Sequence, residues 1–413
     1  MLSSRNWLLT VAILLSAPVL SSCLSSCISS GPPGAGKQPA GRRVKNSRGA
    51  TKEPRERVVT VPCSSPFCVR GRESLDSHQY QKAIQEFQSE LSSNSRCGQA
   101  YLGIARAHAG RYENGKAIAS AKKAIAVDPR LGQAYELLSR LYFDSQRYEL
   151  SIESATKAIE IDPTLAEAYY YRASSAYFLD LLDSGPQKTD MLADLNQAIR
   201  LDPKMQKAYG ARGIYLASQR RVEEAIDSFS QALRLGPDPD CYANRAAAYS
   251  YLNRYDEALD DLAQVSKLQP KNPLPYKTRA GINKQLEHFD RALEDYGKAI
   301  ELAPGDHGTY CDRAELYMKM KRYPEAVQDY SKVIAATKYG DDVLRKRAAV
   351  YVEMGKLDEA LADLDQAHKI DPESSNTLLA RSKVLEKLGR HDRAERDRER
   401  ASELSGESFK SGL

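Results

Sequence analysis

Residues 132–163 read GQAYELLSRLYFDSQRYELSIESATKAIEIDP, and this one stretch decides the fold. Tyr135, Leu138 and Tyr142 recur at helical spacing, Gln146-Arg147 interrupts them, and Tyr148, Ile152, Ala155 and Ala158 begin a second apolar series. Two amphipathic helices joined by a short turn satisfy this pattern. Each is too short to be stable alone in water, so each must bury its apolar face against a neighbour. Asp162-Pro163 closes the stretch, because proline lacks the backbone donor and clashes with the preceding turn.

The same stop returns along the chain. Asp128-Pro129, Asp162-Pro163, Asp202-Pro203, Gly236-Pro237, Gln269-Pro270, Ala303-Pro304 and Asp371-Pro372 carry it, with Lys338 in the one empty slot. These positions are separated by steps of 34, 40, 34, 33, 34, 34 and 34 residues. A fixed period of this size marks a stacked array of small helical units, not a single globular core. The hairpin pattern itself returns in Ala208, Tyr209, Gly213, Val222, Ala225, Phe229 and Ala232, and again in Tyr310, Ala314, Tyr317, Tyr323, Ala326 and Tyr330.

On these residues the chain resembles the tetratricopeptide repeat family, whose helix-turn-helix unit has the same period. The resemblance implies an all-α, right-handed superhelical solenoid of about ten repeats over 64–404, the first repeat being degenerate (Gly71, Tyr80, Ala83, Phe87). A turn insertion is expected near Asp183–Asp190, and extra turn residues near Glu113-Asn114. In the last repeat Arg398 stands where Phe229, Tyr296, Tyr330 and Leu364 stand earlier, inside the polar run Glu395–Arg400. An end repeat has no neighbour for its outer face, so this charged helix reads as a cap. Residues 405–413 then read as a disordered tail.

Arginine recurs at one first-helix site (Arg172, Arg212, Arg245, Arg279, Arg313, Arg347, Arg381). Aspartate recurs in the second helix (Asp194, Asp227, Asp261, Asp295, Asp329, Asp363, Asp397), and the second and third repeats lack both. The pattern predicts a ladder of ion pairs holding each hairpin together.

The N-terminus predicts the compartment. Arg5 precedes an apolar run from Trp7 to Leu20 that Pro18 breaks, too short to span a bilayer comfortably, so residues 1–22 read as an export signal. Leu20-Ser21-Ser22-Cys23 resembles the lipobox of bacterial lipoproteins, which implies lipidation of Cys23; Leu24-Ser25-Ser26-Cys27 fits the same pattern farther from the run. The expected location is the outer side of the plasma membrane, or the periplasmic face of the outer membrane in a two-membrane organism. Residues 23–63 read as a flexible basic tether: 24–72 hold ten Lys or Arg against two Glu, against +5 for the whole chain. The array itself is therefore mildly acidic, and nucleic-acid binding has no charge basis.

Several chemistries fail on spacing. Gly31–Lys37 fits a phosphate-loop spacing, but Gln38 stands where a metal-binding hydroxyl is needed, and no strand precedes the loop. The six histidines are scattered, and none pairs around a glutamate as a zinc protease helix requires. No enzyme, cofactor or metal site is expected. Cys63 and Cys68 flank Ser-Ser-Pro-Phe in an exported segment, which allows a disulfide between them or of Cys97 with either. Cys241 and Cys311 read as unpaired helix residues.

The family resemblance implies that partners lie on the concave face, lined by first helices. There Tyr170, Tyr177, Phe178, Ile214 and Tyr251 are expected to grip apolar anchors, with Lys277 and Lys284 farther on. Tyr177 and Phe178 also suit a purely structural part, filling space beside the insertion. The clamp for C-terminal carboxylates found in chaperone-binding arrays is not matched: Asn244 fits one site, but Gly210, Ile214, Leu274 and Thr278 stand at the others. The function this predicts is a membrane-anchored, non-catalytic adaptor for other exported proteins. A ligand-sensing receptor is the alternative, and an enzyme a remote one.

Overall fold

The computed structural model of the chain describes residues 64–182, 189–337 and 340–405. Cys23 with its expected lipidation, the expected tether, Cys63, residues 183–188 of the expected insertion, Lys338 and the expected tail from 406 lie outside the described residues. Twenty α-helices and no strand occur among the described residues. They form a helix-turn-helix repeat solenoid of ten hairpins.

The described residues divide into two compact units, one ending at Ala248 and a second from Tyr249 onward. In the N-terminal unit the hairpins pair α1 (Pro66–Asp76) with α2 (Tyr80–Ser93), α3 (Gly98–Gly110) with α4 (Asn114–Val127), and α5 (Gly132–Asp144) with α6 (Tyr148–Ile161). Then α7 (Ala166–Leu181) pairs with α8 (Met191–Leu201), and α9 (Gln206–Ser218) with α10 (Val222–Leu235). The division falls within α11 (Pro239–Tyr251). The C-terminal unit continues with α12 (Tyr255–Leu268), α13 (Pro273–Gln285), α14 (Phe289–Leu302), α15 (His307–Lys319) and α16 (Tyr323–Ala336). It ends with α17 (Asp341–Glu353), α18 (Leu357–Ile370), α19 (Ser375–Lys387) and α20 (His391–Ser405).

Two turns alternate, each with a local cause. Between repeats, the residue before proline cannot stay helical: Asp128, Asp162, Asp202 and Asp371 are all extended, with φ near −131°, −136°, −132° and −129°. Their carboxylates accept the amide two residues on, from Arg130 (3.0 Å), Thr164 (2.9 Å), Lys204 (3.0 Å) and Glu373 (3.1 Å). Inside the hairpins other than α7–α8 the first helix is followed by a left-handed residue, as at Gln146, Glu287 and Lys321 (φ 59°, 60° and 58°). Lys321 N donates to Met318 O and Arg322 N to Tyr317 O, the paired bonds of a Schellman cap. The turn at Tyr112 (φ 60°) is built the same way with the same three-residue length, so the extra residues expected near Glu113-Asn114 are not there.

Packing is large against small. Phe87 fills the space between Gly71 and Gly103, where an added Cβ would lie 2.7 and 2.4 Å from its ring, and Phe229 lies against Gly213 at 2.6 Å. Successive first helices touch, α1 with α3, α3 with α5, α5 with α7 and α7 with α9, while successive second helices make no comparable contact. The first helices therefore line the inner face of each unit.

The predicted ladder forms at Arg172–Asp194, Arg279–Asp295, Arg313–Asp329, Arg347–Asp363 and Arg381–Asp397, at 2.5–2.7 Å. Arg212 departs from it. Its Nε donates to Ser228 Oγ at 3.1 Å and its Nη2 to Gln231, while Asp227 points to solvent. The structural spacing from arginine to partner is 16 residues, as for Arg313 and Asp329, and 16 from Arg212 lands on Ser228. The sequence pattern also missed a second hand on this arginine. Nη1 reaches back to the preceding hairpin, from Arg212 to Asn196 (3.1 Å), Arg347 to Ser331 (2.8 Å) and Arg381 to Asp365 (3.1 Å). In the third hairpin, which lacks the arginine, Ser151 donates to Ser139 O and Ser175 to Ser151, each at 2.8 Å.

Candidate functional site on the inner face of the N-terminal unit

The inner face is read off the first helices at i, i+3/i+4 and i+7 spacing. From α5 it carries Gln133, Glu136, Arg140 and Phe143; from α7, Glu167, Tyr170, Ser174 and Tyr177; from α9, Lys207 and Ile214. Gln133, Glu167 and Lys207 hold the same place in three successive hairpins.

Lys207 organises the centre. Its Nζ lies 2.5 Å from Glu167 Oε1 and 3.3 Å from the Tyr171 hydroxyl, and 4.8 and 4.7 Å from the ring centroids of Tyr170 and Tyr171. The two rings meet edge to face at 4.9 Å. A half-desolvated ammonium between an acid and two aromatic faces is a favourable cation–π arrangement. Burial pushes the Tyr170 hydroxyl up to about 12.

The Glu136 carboxylate faces the same space with no hydrogen-bond or ion-pair partner among the described residues, although its backbone carbonyl accepts from Ser139. Burial, and then the Glu167 charge, push its carboxyl up to about 7, against the pull of Arg106 and Lys207. An acid held this way gains from any cation brought beside it, since an opposite charge favours the ionised form.

The expected grip residues divide. Tyr170, Tyr177, Phe178 and Ile214 are in the N-terminal unit, and Tyr251, Lys277 and Lys284 in the C-terminal one. Phe178 is taken up by internal packing, stacked on Tyr148 at 5.2 Å and 11° and set 5.7 Å from Phe143. Tyr177 meets Phe178 edge-on at 5.9 Å and remains half-buried; Ile214 is half-buried and Tyr251 is 39% exposed. Lys277 reaches Asp306 at 3.1 Å, and Lys284 reaches Glu315 at 3.1 Å, which Lys346 also meets at 3.0 Å. Burial alone raises Glu315, but the two lysines outweigh it and hold the acid below its ordinary range. These lysines tie neighbouring repeats together. Glu136, Lys207, Phe143 and Tyr171 were missed from sequence, although the repeat period placed Glu136 and Lys207 on this face.

Models of the tetratricopeptide repeat match residues 132–165, 192–238, 240–268, 278–306, 307–338 and 345–403. The chain belongs to the tetratricopeptide repeat proteins, which act as protein-interaction scaffolds. It is 33% identical over 81 residues to the lipoprotein NlpI homolog of Haemophilus influenzae, covering 19% of this chain and 26% of that protein. It is 44% identical over 57 residues to tetratricopeptide repeat protein 36 of Caenorhabditis elegans, covering 14% and 32%. It is 35% identical over 78 residues to the Hsp70-Hsp90 organizing protein of Triticum aestivum, covering 19% and 13%. The alignments thus span a third or less of these relatives. Among solved structures, a tetratricopeptide repeat protein from Parabacteroides merdae aligns at 20% identity and TM-score 0.42, over 60% of this chain and 94% of that one. YrrB, a protein with an unusual peptide-binding site, aligns at 21% and 0.38, over 46% and 95%.

Proposed function

We propose that this chain is a lipid-tethered, non-catalytic adaptor of the cell envelope that holds a segment of another exported protein on the inner, first-helix face. The observation that carries the reading is the pairing of an unpartnered, desolvated acid, Glu136, with the Lys207–Tyr170–Tyr171 group on one face. Together they favour a segment with a basic residue flanked by apolar ones: the basic group neutralises Glu136, and the apolar flanks cover the tyrosine rings. The lipobox at Cys23 and the basic tether support placement at a membrane surface.

A photo-crosslinking residue at Tyr177, in cells carrying the full chain, should capture one partner that the same residue at Tyr112, exposed on a turn, does not. Tyr170→Ala with Lys207→Ala should lose that partner. Equal capture from Tyr112, or a partner indifferent to the double substitution, rules the groove out. Cys23→Ser should move the protein from the membrane to the soluble fraction; persistence in the membrane rules out the lipid anchor and leaves the groove standing.

A further inference from the structure

The first hairpin breaks the repeat rule at one buried position. Three residues beyond Phe229, Tyr296, Tyr330 and Leu364 stand the small apolar Ala232, Ala299, Val333 and Ala367, and the matching places of α4 and α6 hold Ala124 and Ala158, all buried. In α2 that place is Glu90, 4% exposed. A carboxylate there must be compensated, because burying a charge without a counter-charge or hydrogen bonds is costly. What the fold brings to it is sulfur. Cys68 on α1 is fully buried and Cys97, at the start of α3, is 8% exposed. The two sulfurs and a Glu90 carboxylate oxygen all lie within 4.8 Å of one another.

We propose that Cys68, Cys97 and Glu90 bind one divalent transition-metal ion of the zinc class, joining α1, α2 and α3. Two thiolates and a carboxylate are a donor set that such an ion accepts. Metal–sulfur bonds of ~2.3 Å and metal–oxygen bonds of ~2.1 Å at tetrahedral angles put ligand atoms ~3.5–3.8 Å apart, so only a small closure of the cluster is needed. Ser65 orients the acid: its hydroxyl donates to Glu90 Oε2 and accepts from the Cys68 amide at 3.1 Å. Metal entry displaces one proton from each thiol and leaves the net charge of the ion, two thiolates and one carboxylate at −1.

The remaining cysteines of the described helices are internal controls. Cys241 and Cys311 lie in other hairpins, and among the described residues neither joins a group of three His, Cys, Asp or Glu side chains close enough to hold a metal ion. The sequence reading expected no metal because the histidines are scattered and none pairs around a glutamate; the fold brings donors together from positions far apart in the chain.

The test uses the full chain, reduced and stripped with a chelator, then titrated with Co²⁺ and with Zn²⁺ alone. One equivalent should bind with a thiolate-to-cobalt charge-transfer band, two protons should be released, and the melting temperature should rise. Cys68→Ser and Cys97→Ser should abolish the band, Glu90→Gln should weaken binding at least tenfold, and Cys241→Ser with Cys311→Ser should leave it unchanged. Circular dichroism of the apo variants separates lost ligation from lost folding, and Glu90→Gln keeps the size of the side chain. A reduced, folded chain that takes up no Co²⁺ overturns the proposal, as does uptake indifferent to Cys68→Ser. A Cys68–Cys97 disulfide in protein isolated from cells, with no uptake after its reduction, overturns it as well.

Discussion

Arg381 grips Asp397 through two parallel bonds, Nε to Oδ2 at 2.7 Å and Nη2 to Oδ1 at 2.8 Å, with both side chains 11% exposed. The same fork holds Arg313 to Asp329, whose side chain is 3% exposed. A fork of this kind is geometrically specific and stronger than a neutral hydrogen bond, yet its removal from one side matters more than its presence. Arg313→Met strands the Asp329 carboxylate out of water and also removes the arginine from the faces of Tyr310 and Tyr317. The expected loss is about 3–5 kcal/mol. Lys298→Met, which removes the exposed pair with Glu301, should cost less than about 1 kcal/mol. Because repeat arrays unfold piecewise, hydrogen exchange in α15 and α16 is the measurement, and equal protection in the two variants would refute the claim.

The turns between the two helices of a hairpin are the next place to look. Glu287 and Lys321 sit at φ 60° and 58°, where Gly355 and Gly389 take φ 73° and 71°. A side chain in this region is crowded by its own backbone, which glycine avoids. Glu287→Gly and Lys321→Gly should each stabilise by about 0.5–1 kcal/mol, after the added freedom of the unfolded chain is subtracted. Gly355→Ala should destabilise by a similar amount. Urea midpoints decide, and a loss of stability in Glu287→Gly would contradict the strain argument.

How far the sequence carried can be traced residue by residue. The Asp-Pro stops and the apolar spacing gave the array because both act locally: one bends the backbone, and the other sets which face is buried. The Arg–Asp ladder was legible for the same reason, since both partners keep a 16-residue spacing in the hairpins of Arg279, Arg313, Arg347 and Arg381. At Arg212 the chemical match to Asp227 was preferred over the spacing, and the fold obeys the spacing. Glu136 was invisible as a perturbed acid because its burial exists only in the fold and the charges that act on it, Glu167, Arg106 and Lys207, lie on other helices. Cys68, Glu90 and Cys97 were likewise too distant in sequence to be seen as one group.

The last hairpin holds the end of the C-terminal unit through Leu385, which is fully buried against Leu361, Leu364 and Ala394. Its outer side is polar, and Arg398 there bonds to Glu386. Leu385→Asp puts an unpartnered charge in that seam, so α19 and α20 should undock while the hairpins before them persist. Limited proteolysis should then cut after Ile370 and leave a fragment prone to aggregate, because Leu361 and Leu364 lose their cover. Resistance equal to that of the unmodified chain would show that α19 is not held through this contact.

The pH dependence of stability follows from Glu136. Its carboxyl is pushed from the ordinary 4.5 up to about 7 by burial first and the Glu167 charge second. The folded chain therefore binds this proton more tightly than the unfolded chain does. The sign is that folding is favoured while the acid is protonated, and stability falls as pH rises from about 4.5 through about 7. Full ionisation costs on the order of 3 kcal/mol, at 1.36 kcal/mol per unit. Glu136→Gln keeps the shape, removes the charge, and should flatten this part of the profile, leaving the variant more stable than the unmodified chain at pH above about 7 and little changed near pH about 4. The two readouts separate the roles of the residue. If Glu136 also receives a basic group from a partner, the variant that folds more stably binds that partner more weakly, and a variant that gains stability with no loss of binding would leave Glu136 as a structural acid alone.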